Sequence, residues 1–200
     1  MSQPRSGRVR AAVLISGSGS NMAALVDAAR AEDCPFGVVL VLSNRPDAGG
    51  LAVARAKGVA VAVVDHRPFG KDREAHERAV DAALAEHRVE VVALAGYMRL
   101  LTPWLVKRWA GRMLNIHPSL LPKYPGLDTH ARALAAGDLE AGCTVHLVTE
   151  GVDEGPVLAQ AAVPMLAGDT PASLGQRVLT AEHQLYPQAL ADFCRARMRG

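Results

Sequence analysis

The sequence predicts an α/β fold: an open, mostly parallel, twisted sheet with helices on both faces and antiparallel strands added in the C-terminal half. Short apolar runs rich in Val, Ile and Leu alternate with helical patterns through the first 116 residues, an alternation typical of a parallel sheet. The runs are almost continuously apolar, as strands buried on both faces are. Two further apolar runs follow one another closely after residue 140, which favours an antiparallel pair.

The elements follow in a regular order. The predicted strands cover 9–15, 38–42, 59–64, 91–95 and 113–116, and the helices between them cover 21–30, 47–57, 71–87 and a segment beginning near Pro103, a residue suited to a first helical turn. A proline-rich turn, "HPSLLPKYPG", leads to a helix near 129–136, to the paired runs "GCTVHLVTE" and "GPVLAQAAVPM", and to a terminal helix over 171–197 in which Pro187 is a candidate break. We expect one domain over residues 1–200.

Composition limits the kinds of partner. The 22 basic and 20 acidic residues give a net charge of only +2 and are interspersed, so the chain lacks the basic stripe of a nucleic-acid binder. Its three cysteines stand far apart, which indicates reduced thiols in a cytoplasmic protein. The first ten residues hold no apolar signal segment, and the longest apolar runs are too short to span a membrane. We therefore expect a cytoplasmic protein that binds a small molecule, with no nucleic-acid or membrane partner.

The stretch "LISGSGSNMAAL", residues 14–25, joins the first predicted strand to the first helix. A glycine-rich turn of this kind aims backbone N–H groups and a helix N-terminus at one point, which favours an anion such as phosphate. It lacks the lysine of a P-loop, and Met22 stands where a dinucleotide-binding fingerprint needs glycine. A terminal phosphate of a small substrate fits better, with Ser20 and Asn21 as side-chain donors. Arg73 could supply a bidentate contact, although on its own it fits a solvated helix position better. The alternative is a plain turn in which Ser20 or Asn21 caps the helix.

The stretch "LNIHPSLLPKYPG" combines an amide and an imidazole. Residues two apart in a strand share a face, so Asn115 and His117 are expected to project together at a strand's carboxyl end, where open α/β sheets bind ligands. This pair suits acyl transfer to a substrate nucleophile, with Asn115 on the developing oxyanion and His117 as a second donor or a general base. Asp153 in "GVDEGP" is the carboxylate expected to orient His117. The alternatives are a structural role for His117, a turn role for Asp153, and a buried, hydrogen-bonded strand position for His146.

The segment "LAGYMRLLTPW" follows the fourth predicted strand. Its bulky apolar side chains around Arg99 suit a slot for a flat ring whose polar edge meets Arg99 and backbone groups, and the same pattern also fits core packing at a helix start. The sequence contains neither a dense metal-ligand spacing such as H-E-x-x-H nor the G-x-S-x-G of a serine hydrolase. We therefore expect no metal and no serine nucleophile.

Six stretches together carry a resemblance to a known family: "VLISGSGSN", "DREA", "LAGYMRLL", "NIHPSLLPKYPGL", "GCTVHLVTEGVDEGPVLAQAAVP" and "AEHQLYP". In this order, and over about residues 9–187, they resemble the phosphoribosylglycinamide formyltransferases, the folate-dependent enzymes of purine synthesis. The resemblance implies a Rossmann-like formyltransferase fold and direct transfer of the formyl group of 10-formyltetrahydrofolate, a co-substrate, to the amine of phosphoribosylglycinamide without a metal. It also implies a monomer or homodimer whose partners are glycinamide ribonucleotide and folate.

The resemblance assigns roles residue by residue. It implies that the N-terminal half binds the phosphorylated substrate, with the phosphate held by Gly19, Ser20, Asn21 and Arg73. Glu182 of "AEHQLYP" would contact the ribosyl-glycinamide part of the substrate. The C-terminal half would then hold catalysis and folate.

The remaining roles concern the reaction and the folate. By resemblance, the family's catalytic triad is matched by Asn115, His117 and Asp153. The folate site is matched by Met98, Arg99, Leu101, Asn115, Val152 and Asp153, with the loop "TEGVDEG" closing over the pterin ring. The sequence departs from the common motif at Asp128, where histidine often occurs, and at Glu154, where glycine often occurs. Neither departure touches the triad, so they bear on substrate contacts.

Other functions share part of this pattern. Methionyl-tRNA formyltransferase and formyltetrahydrofolate hydrolase share the N-x-H…D core, but usually carry an extra C-terminal domain and an N-terminal regulatory domain respectively, for which we expect no room here. The "SGSGSN" loop also favours a small phosphorylated acceptor. A different class is a non-catalytic domain that binds a phosphorylated metabolite, against which the intact triad counts.

Overall fold

The structure, a computed structural model, describes residues 7–199. The strands are β1 (Val9–Ile15), β2 (Phe36–Ser43), β3 (Val61–Val63), β4 (Val91–Leu94), β5 (Met113–His117), β6 (Glu140–Leu147) and β7 (Val157–Pro164). The α-helices are α1 (Ser20–Ala28), α2 (Gly50–Ala56), α3 (Arg73–Glu86), α4 (Pro103–Arg108), α5 (Thr129–Ala136) and α6 (Pro171–Arg199), and a short 3₁₀-helix covers Arg67–Phe69. The expectations for residues 1–6 and 200 lie outside the described residues. Within 7–199, no helix is long and apolar enough to cross a membrane.

The strands form one sheet in the order β3-β2-β1-β4-β5-β6-β7. Its first five members are parallel, whereas β6 and β7 are antiparallel to their neighbours. The mostly parallel sheet with an antiparallel C-terminal addition is therefore confirmed. Because the chain builds outward from β1 to β3 and then returns to place β4 on the other side of β1, the loops after β1 and β4 diverge and leave a crevice at their carboxyl ends.

Alternating side chains of the buried strands face two apolar layers, which confirms the prediction of helices on both faces. One layer joins Ala11, Val13 and Ile15 of β1 to side chains of α1, α2 and α6. The other joins Ala12 and Leu14 to side chains of α3 and α4. A parallel strand covered on both sides needs apolar residues at successive positions, which explains the continuous apolar runs of the sequence.

The structure differs most from the sequence prediction at three elements. The third strand is only Val61–Val63 and is half exposed, not buried on both faces over 59–64, because it lies at the sheet edge. The second helix begins at Gly50 rather than residue 47. The last helix continues through Pro187 to Arg199. Tyr186 next to this proline is fully buried and donates a hydrogen bond to a backbone carbonyl of β4, so tertiary packing holds the helix where proline alone costs about 3 kcal/mol.

Candidate active site

The glycine-rich loop after β1 is shaped by a close contact with the start of α2. Gly19 has a left-handed φ of 75°, and a Cβ on it would lie 2.9 Å from the Cα of Gly50. The Gly50 amide also donates to the Gly17 carbonyl at 3.0 Å. Gly19 is the N-cap of α1 and the helix has no side-chain cap, so the alternative of a turn capped by Ser20 or Asn21 is not what the structure contains. The loop therefore leaves the N-terminus of α1 open to an anion.

A polar cavity of about 570 Å³ lies in front of this loop. Three of the predicted substrate residues, Gly19, Ser20 and Asn21, line it. Arg73 does not, since it is an exposed residue at the first turn of α3. Three basic side chains that the sequence analysis did not place there are at the cavity: Arg45, His66 and Arg99. Arg45 follows the carboxyl end of β2, so the rule that ligands bind beyond the carboxyl ends of parallel strands was a signal that could have found it.

Glu182 does not line this cavity, but it contacts Asn21, which does. It is buried on α6, and its Oε2 accepts a hydrogen bond of 2.6 Å from the Asn21 amide. Burial raises the pKa of Glu182, and the hydrogen bond from Asn21 counteracts part of that rise. The Asn21 Oδ1 is buried without a hydrogen-bond partner among the described residues. A buried acceptor left unpaired costs free energy, so this oxygen is suited to a donor group of a ligand.

Asn115 and His117 lie together at the carboxyl end of β5, as their spacing predicts. The alternating residues Leu114 and Ile116 belong to the hydrophobic core. His117 is buried, and its two ring nitrogens face hydrogen-bond acceptors. Nδ1 is 3.2 Å from the Asp153 Oδ2, and Nε2 is 2.9 Å from the Tyr124 carbonyl oxygen. A neutral imidazole has one N–H only, so the geometry satisfies both contacts when the ring is an imidazolium.

Asp153 is brought to His117 by the loop between β6 and β7. The loop turns back so tightly that a Cβ on Gly155 would lie 1.7 Å from the Leu147 carbonyl oxygen. Burial on its own would raise the pKa of Asp153, but a hydrogen bond from His146, one from the Gly126 amide and the charge of His117 together lower it. The carboxylate is therefore charged at neutral pH, and it stabilises a positive charge on His117.

His146 is a member of this cluster that sequence reasoning missed. The sequence analysis placed it in a buried, hydrogen-bonded strand position, and it is buried on β6. The antiparallel register pairs it with Asn115, whose Nδ2 lies 3.3 Å from the His146 Nε2. The same nitrogen is 3.5 Å from the Asp153 Oδ1. A strand pattern shows which face a residue lies on but not which residue faces it across the sheet, so the sequence held no signal for this pairing.

A second cavity, of about 420 Å³, opens beside the cluster. All six residues predicted for the folate site line it, and they come from the loop after β4, from β5 and from the loop after β6: Met98, Arg99, Leu101, Asn115, Val152 and Asp153. Apolar side chains form most of its wall, as a slot for a flat ring requires.

The two cavities adjoin, because Met98 and Arg99 line both. The Ser16 hydroxyl fixes this boundary by accepting a hydrogen bond of 2.8 Å from the Met98 amide and donating one of 2.6 Å to the Asn44 Oδ1. Asn115, His117 and Asp153 line the second cavity, so a ligand in the polar cavity would approach this cluster past Met98 and Arg99.

A glycine-rich loop at an uncapped helix N-terminus, an apolar slot and an amide–imidazole–carboxylate cluster on an open α/β sheet are the parts that a group-transfer enzyme needs. The family model described as "Formyl transferase" matches residues 9–190, and the chain belongs to this family. The resemblance inferred from the sequence is thereby confirmed.

Two relatives match most of this chain. The chain is 46% identical over 187 residues to "Phosphoribosylglycinamide formyltransferase" of Escherichia coli (strain K12), covering 94% of this chain and 88% of that protein. The chain is also 50% identical over 186 residues to "Trifunctional purine biosynthetic protein adenosine-3" of Drosophila melanogaster. This match covers 92% of the chain but only 14% of that longer protein.

Two crystal structures have closely similar folds. The phosphoribosylglycinamide formyltransferase of Brucella melitensis superimposes with a TM-score of 0.90 at 56% identity, covering 94% of this chain and 96% of that one. The glycinamide ribonucleotide transformylase 1 of Symbiobacterium toebii superimposes with a TM-score of 0.92 at 46% identity, covering 96% and 91%. The predicted formyltransferase fold is confirmed by these comparisons.

Proposed function

We propose that the protein transfers the formyl group of 10-formyltetrahydrofolate to the amine of 5′-phosphoribosylglycinamide, giving formylglycinamide ribonucleotide and tetrahydrofolate in purine biosynthesis. The observation that carries this proposal is that the cavity lined by Asn115, His117 and Asp153 adjoins the polar cavity at Met98 and Arg99. One cavity has the polarity of a phosphorylated acceptor, and the other has the apolar walls that a pterin ring needs.

The phosphorylated acceptor occupies the polar cavity in this proposal. Its phosphate lies against the loop of Gly19, Ser20 and Asn21, where the backbone amides at the start of α1 stabilise the negative charge. Glu182 acts on the ribosyl-glycinamide part through Asn21, whose orientation it holds by their hydrogen bond. Arg73 contributes to the phosphate only if its exposed side chain turns toward the cavity from α3.

The folate co-substrate occupies the apolar cavity. Met98, Leu101 and Val152 contact the flat ring, while Arg99 meets its polar groups. The formyl group then lies next to Asn115 and His117 on β5. No metal is required by this arrangement, since the charge that develops on the formyl oxygen is met by side-chain N–H donors.

In the proposed reaction the neutral glycinamide amine attacks the formyl carbon directly. A new C–N bond forms, and the formyl oxygen becomes an oxyanion that accepts hydrogen bonds from the Asn115 amide and from the Nδ1–H of protonated His117. Nδ1 serves here because it faces Asp153 on the wall of the folate cavity, whereas Nε2 is held by the Tyr124 carbonyl. The tetrahedral intermediate then collapses: the bond between the formyl carbon and the folate nitrogen N10 breaks, and tetrahydrofolate leaves.

Proton movement accompanies these two steps. The attacking amine gives up one proton, and the departing N10 receives one, so the reaction leaves the enzyme's protonation unchanged. Asp153 orients His117, stabilises a positive charge on its ring and assists this transfer. Each donor to an oxyanion contributes about 10²–10³-fold in rate where this has been measured.

The deciding experiment is a turnover assay with purified protein, glycinamide ribonucleotide and 10-formyltetrahydrofolate that follows both products. We expect formylated nucleotide and deformylated folate in equal amounts. Release of folate without formylated nucleotide would identify a hydrolase, and no turnover with tight binding of both ligands would identify a non-catalytic domain.

The role of His117 has its own test in the same assay. His117→Ala is expected to lower kcat by about 10²–10⁴-fold and to change the KM values little, because the donor acts mainly on the transition state. An effect confined to KM would contradict the oxyanion role.

The same proposal covers the cellular location, the domain organisation and the assembly state of the protein. We place it in the cytoplasm, acting on small molecules as a single formyltransferase domain over residues 1–200, as a monomer or a homodimer. Sedimentation of the purified chain over a range of concentrations distinguishes the two assembly states.

A further inference from the structure

A buried carboxylate outside the site, that of Glu77, contacts the chain where the loop after β4 ends. Glu77 lies on α3 and is only 3% exposed. Its Oε1 accepts a hydrogen bond of 2.7 Å from the Thr102 amide, and its Oε2 accepts one from the Thr102 hydroxyl. Glutamate is almost never fully buried unless its oxygens are paired, so these two contacts account for a carboxylate at this place in the interior.

Thr102 is the N-cap residue of α4, and its side chain makes no capping bond to that helix. An N-cap hydroxyl commonly accepts a hydrogen bond from a free amide of the first helical turn. Here the hydroxyl donates to α3 instead, and Pro103 at the start of α4 has no amide that needs a partner. Glu77 therefore fixes the point at which the chain leaves the loop and enters α4.

The loop that ends at Thr102 forms part of the wall of the folate cavity. Residues 97–101 line that cavity. The Met98 amide anchors the loop near its beginning by donating to the Ser16 hydroxyl at 2.8 Å. Between this anchor and Thr102, residues 99–101 make no backbone–backbone hydrogen bond within the described part of the chain. The position of the wall therefore depends on what holds its two ends.

Two arginines place positive charge near Glu77. Arg73 lies one turn earlier on α3, and Arg99 lies in the loop that Glu77 holds. Burial raises the pKa of Glu77, while the hydrogen bonds from Thr102 and the charges of the two arginines oppose that rise. Arg99 lines both cavities, so the carboxylate lies close to a side chain of the site without lining either cavity itself.

We propose that Glu77 is a positioning residue for the folate co-substrate: through Thr102 it holds residues 98–101 where they contact the flat ring. Neither Glu77 nor Thr102 lines the folate cavity, so the effect passes through the loop. Val106 on α4 also lines that cavity and depends on the same anchor. The link to folate rests on the proposed function.

The same face of α3 carries a comparable contact that can serve as a control. Asp81, four residues after Glu77, accepts a hydrogen bond of 2.8 Å from the Trp109 Nε1 and one of 3.2 Å from the Arg108 Nε. These two partners lie at the other end of α4, and none of the three residues lines either cavity. Asp81→Asn therefore weakens the packing of α4 on α3 without changing a contact of the loop after β4.

The test compares the unchanged protein with Glu77→Met, Glu77→Gln, Thr102→Val and Asp81→Asn. Methionine fills the space of Glu77 but offers neither carboxylate oxygen, whereas glutamine keeps an acceptor for the Thr102 amide and a partner for its hydroxyl. Thr102→Val removes the hydroxyl contact only, so it decides the matter if Glu77→Met does not fold. The Kd for tetrahydrofolate is measured by calorimetry, kcat and both KM values by initial rates, and Tm by thermal unfolding.

We expect Glu77→Met to raise the Kd for tetrahydrofolate and the KM for 10-formyltetrahydrofolate by about tenfold, the lower end of what a hydrogen bond to a charged group is worth. Thr102→Val should raise both by about threefold, because one of the two bonds remains. Glu77→Gln should restore both to within about threefold of the unchanged protein. Asp81→Asn should lower Tm while the folate Kd and KM stay within about twofold, a split that a purely structural role of Glu77 would not produce.

Unchanged folate binding in Glu77→Met, or in Thr102→Val where Glu77→Met does not fold, would overturn the inference. An equal loss of folate binding in Asp81→Asn would overturn it too, since the effect would then be one of general stability. Absence of formyl transfer by the unchanged protein would refute the proposed function instead, and tetrahydrofolate binding would still decide the role of Glu77. If the unchanged protein neither transferred formyl groups nor bound tetrahydrofolate, both proposals would be refuted.

Discussion

Asp153→Asn is the change that tests the charge in the cluster rather than its shape. The Asp153 Oδ2 lies 3.2 Å from the His117 Nδ1, and both side chains are nearly buried. Two unit charges at this separation attract by about 5 kcal/mol at an effective dielectric constant of 20. The asparagine oxygen still accepts a hydrogen bond, so we expect a loss of about 3–5 kcal/mol of transition-state stabilisation, or about 10²–10⁴-fold in kcat.

The assay is initial-rate turnover at saturating concentrations of both substrates, with formylated nucleotide and deformylated folate both followed. Glu154→Gln is the matched control, because it removes a carboxylate from the same loop that does not contact His117, and its kcat should stay within about twofold. We expect the Asp153→Asn effect in kcat and only small changes in KM. A kcat within tenfold of the unchanged protein, or a loss confined to KM, would refute the electrostatic role of Asp153.

Three further changes test the framework of the site. Gly50→Ala places a Cβ 2.6 Å from the Ile15 Cδ1 and 3.0 Å from the Gly19 Cα in the glycine-rich loop. We therefore expect the unfolding free energy to fall by about 1–3 kcal/mol and the KM for the nucleotide to rise. Tyr186→Phe removes a buried hydroxyl that donates to carbonyls of β4 and β5. It should lower the unfolding free energy by about 1–3 kcal/mol, measured by denaturant titration. Asp169→Asn removes a carboxylate whose pKa is lowered chiefly by a hydrogen bond from Arg177. The charged carboxylate therefore stabilises the folded protein above about pH 4, and this stabilisation is lost as the pH falls. The difference in Tm between the protein and this variant should therefore be largest near pH 7 and shrink in acid; a constant difference would contradict the assignment.

Much of the architecture was predictable because it depends on local pattern. Continuous apolar runs are required of strands covered on both faces, and the runs at 9–15 and 113–116 became β1 and β5 within one residue. The helix predicted near 129–136 is α5 (Thr129–Ala136). The shared face of Asn115 and His117 follows from the two-residue repeat of a strand and needs no tertiary information.

Features that depend on neighbours in space were not predictable in this way. Half-exposure of β3 results from its place at the sheet edge, which strand order decides. The continuity of α6 through Pro187 depends on burial of the residues around it. Local propensity is weak beside such packing, so a sequence pattern alone gives the wrong answer at these positions.

The sequence by itself determined the class of fold, the order of its elements and the residues at the carboxyl ends of the strands. Only the tertiary structure decided which groups complete the site. The contact of His146 with Asn115 requires the antiparallel register of β5 and β6, and the contact of Tyr124 with His117 requires the path of a loop held by Asp138. The physical reason is that periodicity is a property of one segment, whereas register and loop path result from packing between segments distant in the chain.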